Sequence, residues 1–439
     1  MKGFDETTST RTDSAATAQR SKDGVYMFHP EPKHILNSCL KNNPLSGVSL
    51  SVFIEMTWKN KKSIQWGRYW HRLLALFLMS SFNSILSAIE LIYIYGYLFI
   101  FRKSILGNAQ NQHQKDPVFV LGHPRTGTTL LHGLLALDKE RFAICDTFMV
   151  GFPHCFLWFE KVGKFLFRNI LSETRPMDNM KLHFDLPQED ELGTNLLSGL
   201  GVSPYSSLVF MKEEQKYRQY QTMKDVSDKD LDRWVASFSY FIWKIRIRDL
   251  LQNKSRNTPK QLVLKSPCHT GRVRLLLKLF PNAKFVFIHR NPYEVFLSGA
   301  HLASTTYGWM FLQSPTDQEL QEYILKQGEI LYNEYIDCRK DTSLLHEENC
   351  VEIGFEQLTK NPSESMKEIY SRFGFDSFDE DVNSRFPNIL GKEVQELKGY
   401  KRNKFRHVQL DDKLKREIQD RWNNQFETFD YDKKYATSC

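Results

Sequence analysis

Gly122-His123-Pro124-Arg125-Thr126-Gly127-Thr128-Thr129 sets two glycines five residues apart around a cation and follows them with hydroxyls. A tight glycine turn can aim several backbone N–H groups at one anion, and the guanidinium and hydroxyls add further contacts. The spacing is that of the nucleotide loop G-x-x-x-x-G-K-S/T, except that Thr128 stands where that loop has lysine. Without the lysine, binding of a β/γ-phosphate with magnesium is poorly supported. A smaller anion, held with Arg125 as the fixed cation, remains supported. The plain alternative is an ordinary strand-turn-helix corner.

Other residues capable of chemistry lie far along the chain. Lys265 ends the apolar run Gln261-Leu262-Val263-Leu264, with His269 four residues on. Arg290 ends the run Ala283-Lys284-Phe285-Val286-Phe287-Ile288-His289, and Ser298 follows eight residues later. Glu189, Asp190 and Glu191 are consecutive, just after Pro187-Gln188. Three acids after a proline ordinarily open a solvated helix, where they meet the positive end of its dipole. Their apolar flanks argue that one points into a site. Residues 398–408 carry five lysines or arginines, Lys401 and Arg402 among them; the plain reading of such a run is a solvated surface.

Apolar patterning gives the elements that must position these groups. Residues 117–121 read as a buried strand, and Leu130, Leu131, Leu134, Leu135 and Leu137 have helical spacing. Residues 261–264 and 283–289 read as buried strands with a crossover helix over 271–280. Asn291 can cap the next helix, with Pro292 in its first turn. Residues 228–250, 317–340, 361–373 and 411–429 read as helices and 350–355 as a short strand. On the first of these helices, Trp234, Phe238, Phe241, Ile242 and Ile245 make the inner face. Alternating strands and helices predict an α/β fold of three layers, P-loop-like, with a central parallel sheet flanked by helices. Ligands in such folds sit at the carboxyl ends of the strands. The loop 122–129, Lys265 and Arg290 all fall at such ends, and this convergence carries the functional reading.

The chain has 439 residues, 41% apolar and 25% charged, as globular proteins have. A net charge of +7 fits an anionic ligand or a membrane surface and is too weak to argue for nucleic acid. Seven scattered cysteines without a C-x-x-C pattern predict neither a zinc site nor a disulfide framework. Asn253-Lys254-Ser255 is a glycosylation sequon, of use only in a lumenal domain. Residues 1–24 are rich in small polar residues and read as a disordered tail or a targeting segment, without the apolar core of a signal peptide. Residues 25–114 read as an N-terminal helical region. Its segment 73–101 is long enough to span a bilayer, yet Asn83 and Glu90 interrupt it and bases flank it on both sides. Two readings stay open for it: a transmembrane or interfacial anchor, or a helical pair packed on the domain as a wall of an apolar cavity. Phe156, Trp158, Phe159, Phe165 and Phe167 form an aromatic stripe that suits core, acceptor pocket or lipid contact.

Taken together, three segments resemble the sulfotransferases that use 3′-phosphoadenosine 5′-phosphosulfate. Gly122–Thr129 is similar to their 5′-phosphosulfate loop. Arg290-Asn291-Pro292-Tyr293-Glu294-Val295-Phe296-Leu297-Ser298 is similar to their 3′-phosphate motif, and Phe355-Glu356-Gln357-Leu358 with Asn361-Pro362 to a later family segment. The forms Pro187-Gln188-Glu189-Asp190-Glu191 and Leu264-Lys265-Ser266-Pro267 suggest the broad branch found in bacteria and diverse eukaryotes. The resemblance covers roughly 117–430 and implies a sulfotransferase domain at 115–432.

It implies donor contacts from His123, Pro124, Arg125, Thr126, Gly127, Thr128 and Thr129 at the 5′ end. Arg290 and Ser298 would serve the 3′-phosphate, and Lys401 and Arg402 a lid over it. Arg125 and Lys265 are candidates for charge stabilisation during transfer. A general base must take the acceptor's proton. Glu191 and Glu189 lead for that role, ahead of Asp190, with His269 second to the acids. His183 is expected outside the site and His123 is expected in a turn. The implied co-substrate is 3′-phosphoadenosine 5′-phosphosulfate, without a metal. The acceptor would be a small molecule, a lipid or a glycan bearing a hydroxyl. The expected location is membrane-associated, on an endomembrane such as the Golgi or on the cytosolic face of a membrane, with the cytoplasm as the alternative. Two rival readings are a P-loop kinase or NTPase, and an inactive membrane-associated scaffold with the same fold. The oligomeric state is not legible.

Overall fold

The structure is a computed structural model and describes residues 20–28, 43–110, 115–169, 171–253, 257–375, 385–399 and 409–431. The chain opens with a short hairpin, β1 (Ser21–Lys22) and β2 (Val25–Tyr26). Its main sheet holds β3 (Val118–Leu121), β4 (Phe142–Ile144), β5 (Gln261–Lys265), β6 (Lys284–His289) and β7 (Cys350–Gly354). All pairings in this sheet are parallel, in the order β4-β5-β3-β6-β7.

The central strands β3, β5 and β6 lack a polar face because both faces are covered. Alternation divides each strand between two cores. Phe119, Leu121, Leu264, Phe285 and Phe287 join one core, with Trp234, Phe238, Phe241 and Ile245 of the helix Asp228–Gln252. Val118, Val120, Val263, Val286 and Ile288 join the other, with Leu131, Leu134 and Leu135 of the helix Thr128–Ala136 and Met366, Ile369 and Tyr370 of the helix Pro362–Phe373. The result is the expected α/β fold, a parallel sheet between helical layers.

Some expected boundaries move. The crossover after β5 is a 3-10 turn, Pro267–Gly271, followed by a shorter helix, Val273–Leu279. The last helix is two, Asp412–Arg421 and Asn423–Thr428, with a break at Trp422. The limit expected at residue 24 falls inside the β1–β2 hairpin. Ser21 Oγ bonds the Gln409 carbonyl, Gly24 N–H bonds Asp411, and Tyr26 N–H bonds Gln321 at 2.9 Å. Side-chain to backbone bonds hold this hairpin, so its polar composition reads as tail. Residues 1–19 lie outside the described residues.

The apolar segment lies in the helix Trp66–Ile92, past a kink at Tyr69, and runs on through a π turn, Tyr93–Leu98, into Phe99–Phe101. It is a single helix and not a helical pair. The polar residues that interrupt its apolar run point inward. Arg72 donates to the Phe311 carbonyl at 2.8 Å, Asn83 donates to the Val48 carbonyl at 3.3 Å, and Glu90 accepts from Leu157 N–H at 2.8 Å. Glu90 also pairs with Lys244 of the helix Asp228–Gln252, and both side chains are sealed from solvent. Among the described residues Cys145, Cys155, Cys268, Cys338 and Cys350 are free thiols.

Candidate active site

The glycine turn after β3 forms as its residue types require. Gly122 has φ 145° and Gly127 has φ 104°, in the region that favours glycine. A Cβ on Gly127 would lie 2.5 Å from the Phe355 ring, so the turn packs against the first residue after β7. Arg125 also has positive φ, 77°, an uncommon conformation for a side-chain-bearing residue. Thr126 Oγ1 donates to the His123 carbonyl at 2.8 Å and closes the turn. Gly127 caps the helix Thr128–Ala136, whose first intrahelical acceptor serves Leu131 N–H. The N–H groups of Thr128, Thr129 and Leu130 therefore have no acceptor within the helix and face its amino end.

Cations gather around this turn. Arg125 Nε donates to Ser298 Oγ at 3.0 Å, and its NH1 pairs with Asp178 at 2.9 Å. Arg290 donates to the Arg125 carbonyl at 3.2 Å, pairs with Glu294 at 2.8 Å, and lies over the Phe355 ring at 4.4 Å. Lys265 Nζ stands 2.8 Å from Glu189 Oε1 and 3.5 Å from Thr129 Oγ1. Arg175 reaches Thr129 Oγ1 at 3.5 Å and pairs with Asp178 at 3.3 Å. Arg125, Arg175, Lys265 and Arg290 thus face three carboxylates, Asp178, Glu189 and Glu294. The remaining positive charge and the helix amino end suit an anion. Arg175 and Asp178 are not among the residues singled out from the sequence; a basic residue near an acid after an irregular stretch gave no signal of its return to the turn.

The three consecutive acids separate sharply. Glu191 has no exposed surface. Arg272 binds it in a two-pronged contact at 2.7 and 3.1 Å, Ser203 donates at 2.7 Å and Trp234 at 3.1 Å. Asp190 meets His269 Nε2 at 2.7 Å, and both are sealed. The charge and hydrogen bond of His269 hold the Asp190 carboxyl below its usual range even though burial opposes ionisation. His269 packs edge-on to Phe119 in the core. Glu189 is different: its side chain keeps 22% of its surface and reaches Lys265 and the Tyr205 hydroxyl. Burial opposes its charge, but Lys265 and the Tyr205 hydrogen bond outweigh burial and lower its carboxyl pKa. Burial pushes the Lys265 ammonium down in spite of Glu189. The expected order among the acids therefore changes. Glu191 and Asp190 are occupied on the interior side, and Glu189 is the acid beside the cations. One residue per helical or extended step turns each side chain in a new direction, which sequence spacing could not resolve here.

His123 lies buried against Tyr332 and Trp422, and its Nδ1–H donates to the Pro124 carbonyl at 2.7 Å. Burial takes its imidazole down to about 4. It is a turn residue. Pro124 and Thr126 shape the same turn, and Thr128 is buried at the helix start. His183 is exposed beside Asp185. Lys401 and Arg402 lie outside the described residues. Away from the site, Asp146, Glu160 and Asp185 bring their carboxylates together, with Lys164 and Arg248 set among them.

Comparison with known proteins bears on the family and the fold. A family model described as "Sulfotransferase family" matches residues 117–380. The chain is 30% identical over 338 residues to the omega-hydroxy-beta-dihydromenaquinone-9 sulfotransferase Stf3 of Mycobacterium bovis, covering 76% of this chain and 79% of that protein. The Mycobacterium tuberculosis protein of the same name matches equally. Among solved structures, sulfotransferase STF1 of Mycobacterium tuberculosis superposes with TM-score 0.54 at 15% identity, over 85% of this chain and 90% of that one. Sulfotransferase STF9 of Mycobacterium avium gives TM-score 0.53 at 17% identity, over 88% and 97%. At these identities the two structures speak for the fold.

Proposed function

The chain belongs to the sulfotransferase family, and on that premise we propose that it moves a sulfuryl group from 3′-phosphoadenosine 5′-phosphosulfate to a hydroxyl of an apolar acceptor. The observation that carries the donor assignment is the joining of the two anion elements. Arg125 of the first turn bonds Ser298, and Arg290 bonds the Arg125 carbonyl, so both elements meet at the carboxyl ends of β3 and β6. In this reading the N–H groups of Thr128 and Thr129 and the cations Arg125 and Lys265 receive the phosphosulfate. Arg290 and Ser298 receive the 3′-phosphate, where a guanidinium can bond two oxygens. Thr128 in place of the nucleotide-loop lysine agrees with a phosphosulfate over a triphosphate.

Transfer forms a bond from the acceptor oxygen to sulfur and breaks the bond from sulfur to the bridging oxygen. The leaving group is 3′-phosphoadenosine 5′-phosphate, and the acceptor proton needs a base. Glu189 suits that task because it is ionised at neutral pH, partly open and next to Lys265. In this reading Lys265 and Arg125 meet the charge growing on the bridging oxygen. The apolar acceptor is inferred from the relative whose name specifies a hydroxylated menaquinone.

Sulfur-labelled donor incubated with hydroxylated isoprenoids, sterols and glycans tests this. Transfer of label to an apolar hydroxyl is expected. Absence of donor binding would overturn the assignment; donor binding without transfer to any of these acceptors would point to a scaffold with the same fold.

A further inference from the structure

The long helix reverses the usual arrangement of a surface helix. Its polar side chains Arg72, Ser80, Asn83 and Glu90 are buried against the protein. Every exposed residue from Trp70 to Phe101 is apolar or aromatic. Leu74, Leu78, Ile85, Ile92 and Ile100 are half or more exposed, at 51%, 60%, 62%, 72% and 68%. The neighbouring helix Phe156–Phe167 extends the patch with Val162, Phe165 and Leu166, and the two helices join through Phe82 against Phe159 and Phe167. A contiguous apolar surface of this length marks a contact with something apolar.

Charge identifies the occupant. Between Thr57 and Gln110 the sole acid is Glu90, which is sealed. Exposed bases stand at both ends, Lys59, Lys61, Lys62 and Arg68 before the patch and Arg102 and Lys103 after it. On the second helix Lys161 is exposed beside Val162, and Arg168 follows the helix end. Trp58, Trp66 and Trp70 at one end and Tyr95 and Tyr97 at the other are exposed, the aromatic types favoured where hydrocarbon meets headgroups. A second copy docked through the same face would set basic rims against basic rims. An anionic lipid surface complements both the rims and the apolar centre.

We propose that this face rests in one leaflet of a membrane carrying anionic headgroups, with the helix lying along the surface and not across the bilayer. Crossing is opposed by the inner face. Arg72 and Glu90 bind Phe311 and Leu157 of the main domain, and Asn83 binds Val48 of the preceding segment, at points spread along the helix. A spanning helix would have to abandon all three and carry Glu90 into hydrocarbon, away from Lys244.

Flotation of the full chain tests the proposal, using vesicles of phosphatidylcholine alone and with phosphatidylserine. Co-flotation with the anionic vesicles is expected, at least ten-fold above neutral ones and weakened by salt. A Leu78→Glu, Ile85→Glu variant changes exposed positions only. It is expected to lose flotation at least ten-fold while keeping its circular dichroism melt and donor binding. Equal flotation with neutral vesicles, or an unaffected variant, would overturn the proposal. Retention through an alkaline carbonate wash would overturn the flat-lying placement. A salt-stable dimer dissolved by the same variant, without vesicle binding, would give the face to a second copy.

Discussion

Glu189 Oε1 lies 2.8 Å from Lys265 Nζ at the carboxyl end of β5, and this pair joins the acid segment to the cation cluster. In the proposed mechanism, transfer requires the carboxylate ionised and the ammonium protonated. Glu189 has a lowered pKa because Lys265 and Tyr205 outweigh burial, so its acid limb falls below the ordinary 4.5. Lys265 is lowered by burial, so its alkaline limb falls below the ordinary 10.5. The rate of transfer is expected to hold between these limbs and to drop on the alkaline side earlier than an ordinary lysine would allow. Lys265→Arg should move that limb upward. A pH-rate profile checks this, and an alkaline limb unmoved by Lys265→Arg would contradict it.

Glu191 and Arg272 form a sealed pair, and its effect should appear as stability. Removing one partner leaves an uncompensated buried charge, costing roughly 3–5 kcal/mol. Glu191→Ala is therefore expected to lower the thermal midpoint clearly. A variant that melts like the parent but turns over slowly would return Glu191 to the chemistry.

Arg290 should matter for donor affinity and little for the melt. Hydrogen bonds to charged groups contribute about 1.5–3 kcal/mol, so Arg290→Ala is expected to weaken binding of 3′-phosphoadenosine 5′-phosphate roughly ten- to hundred-fold. Arg290→Lys should recover part of it, since an ammonium lacks the planar fork. Calorimetric titration reads both variants; parent affinity in Arg290→Ala would remove the 3′-phosphate from this residue.

Three histidines with lowered pKa values, His123 and His132 buried and His154 partly buried, make stability sensitive to acid. Burial lowers His123 and His154 to about 4 and His132 to about 3 from 6.5. Between the folded and unfolded values the unfolded chain binds more protons, so stability rises with pH there. Their contribution is complete above pH 6.5 and is lost as pH falls towards 4 and then 3. Thermal midpoints across pH 3–8 should fall on the acid side of 6.5, and less steeply in His132→Gln.

The sheet was legible because β3, β5 and β6 are short apolar runs that each end at a cation or a glycine turn. The conformation of the glycine turn was legible as well, since glycine spacing and φ preference are local. Which of Glu189, Asp190 and Glu191 faces the cations depends on Arg272, His269 and Lys265, roughly 75 residues or more away. Arg175 was missed because its partner Thr129 lies 46 residues away in sequence. Glu90 looked like a flaw in an apolar helix until Lys244 supplied its partner.

Glu189→Gln removes the proposed base while keeping its shape, so label transfer from the sulfur donor, measured beside donor binding, tests the account most directly. The account predicts parent-like binding with transfer slowed about 10²–10⁴-fold, the usual worth of a general base. Transfer at the parent rate by Glu189→Gln would contradict it.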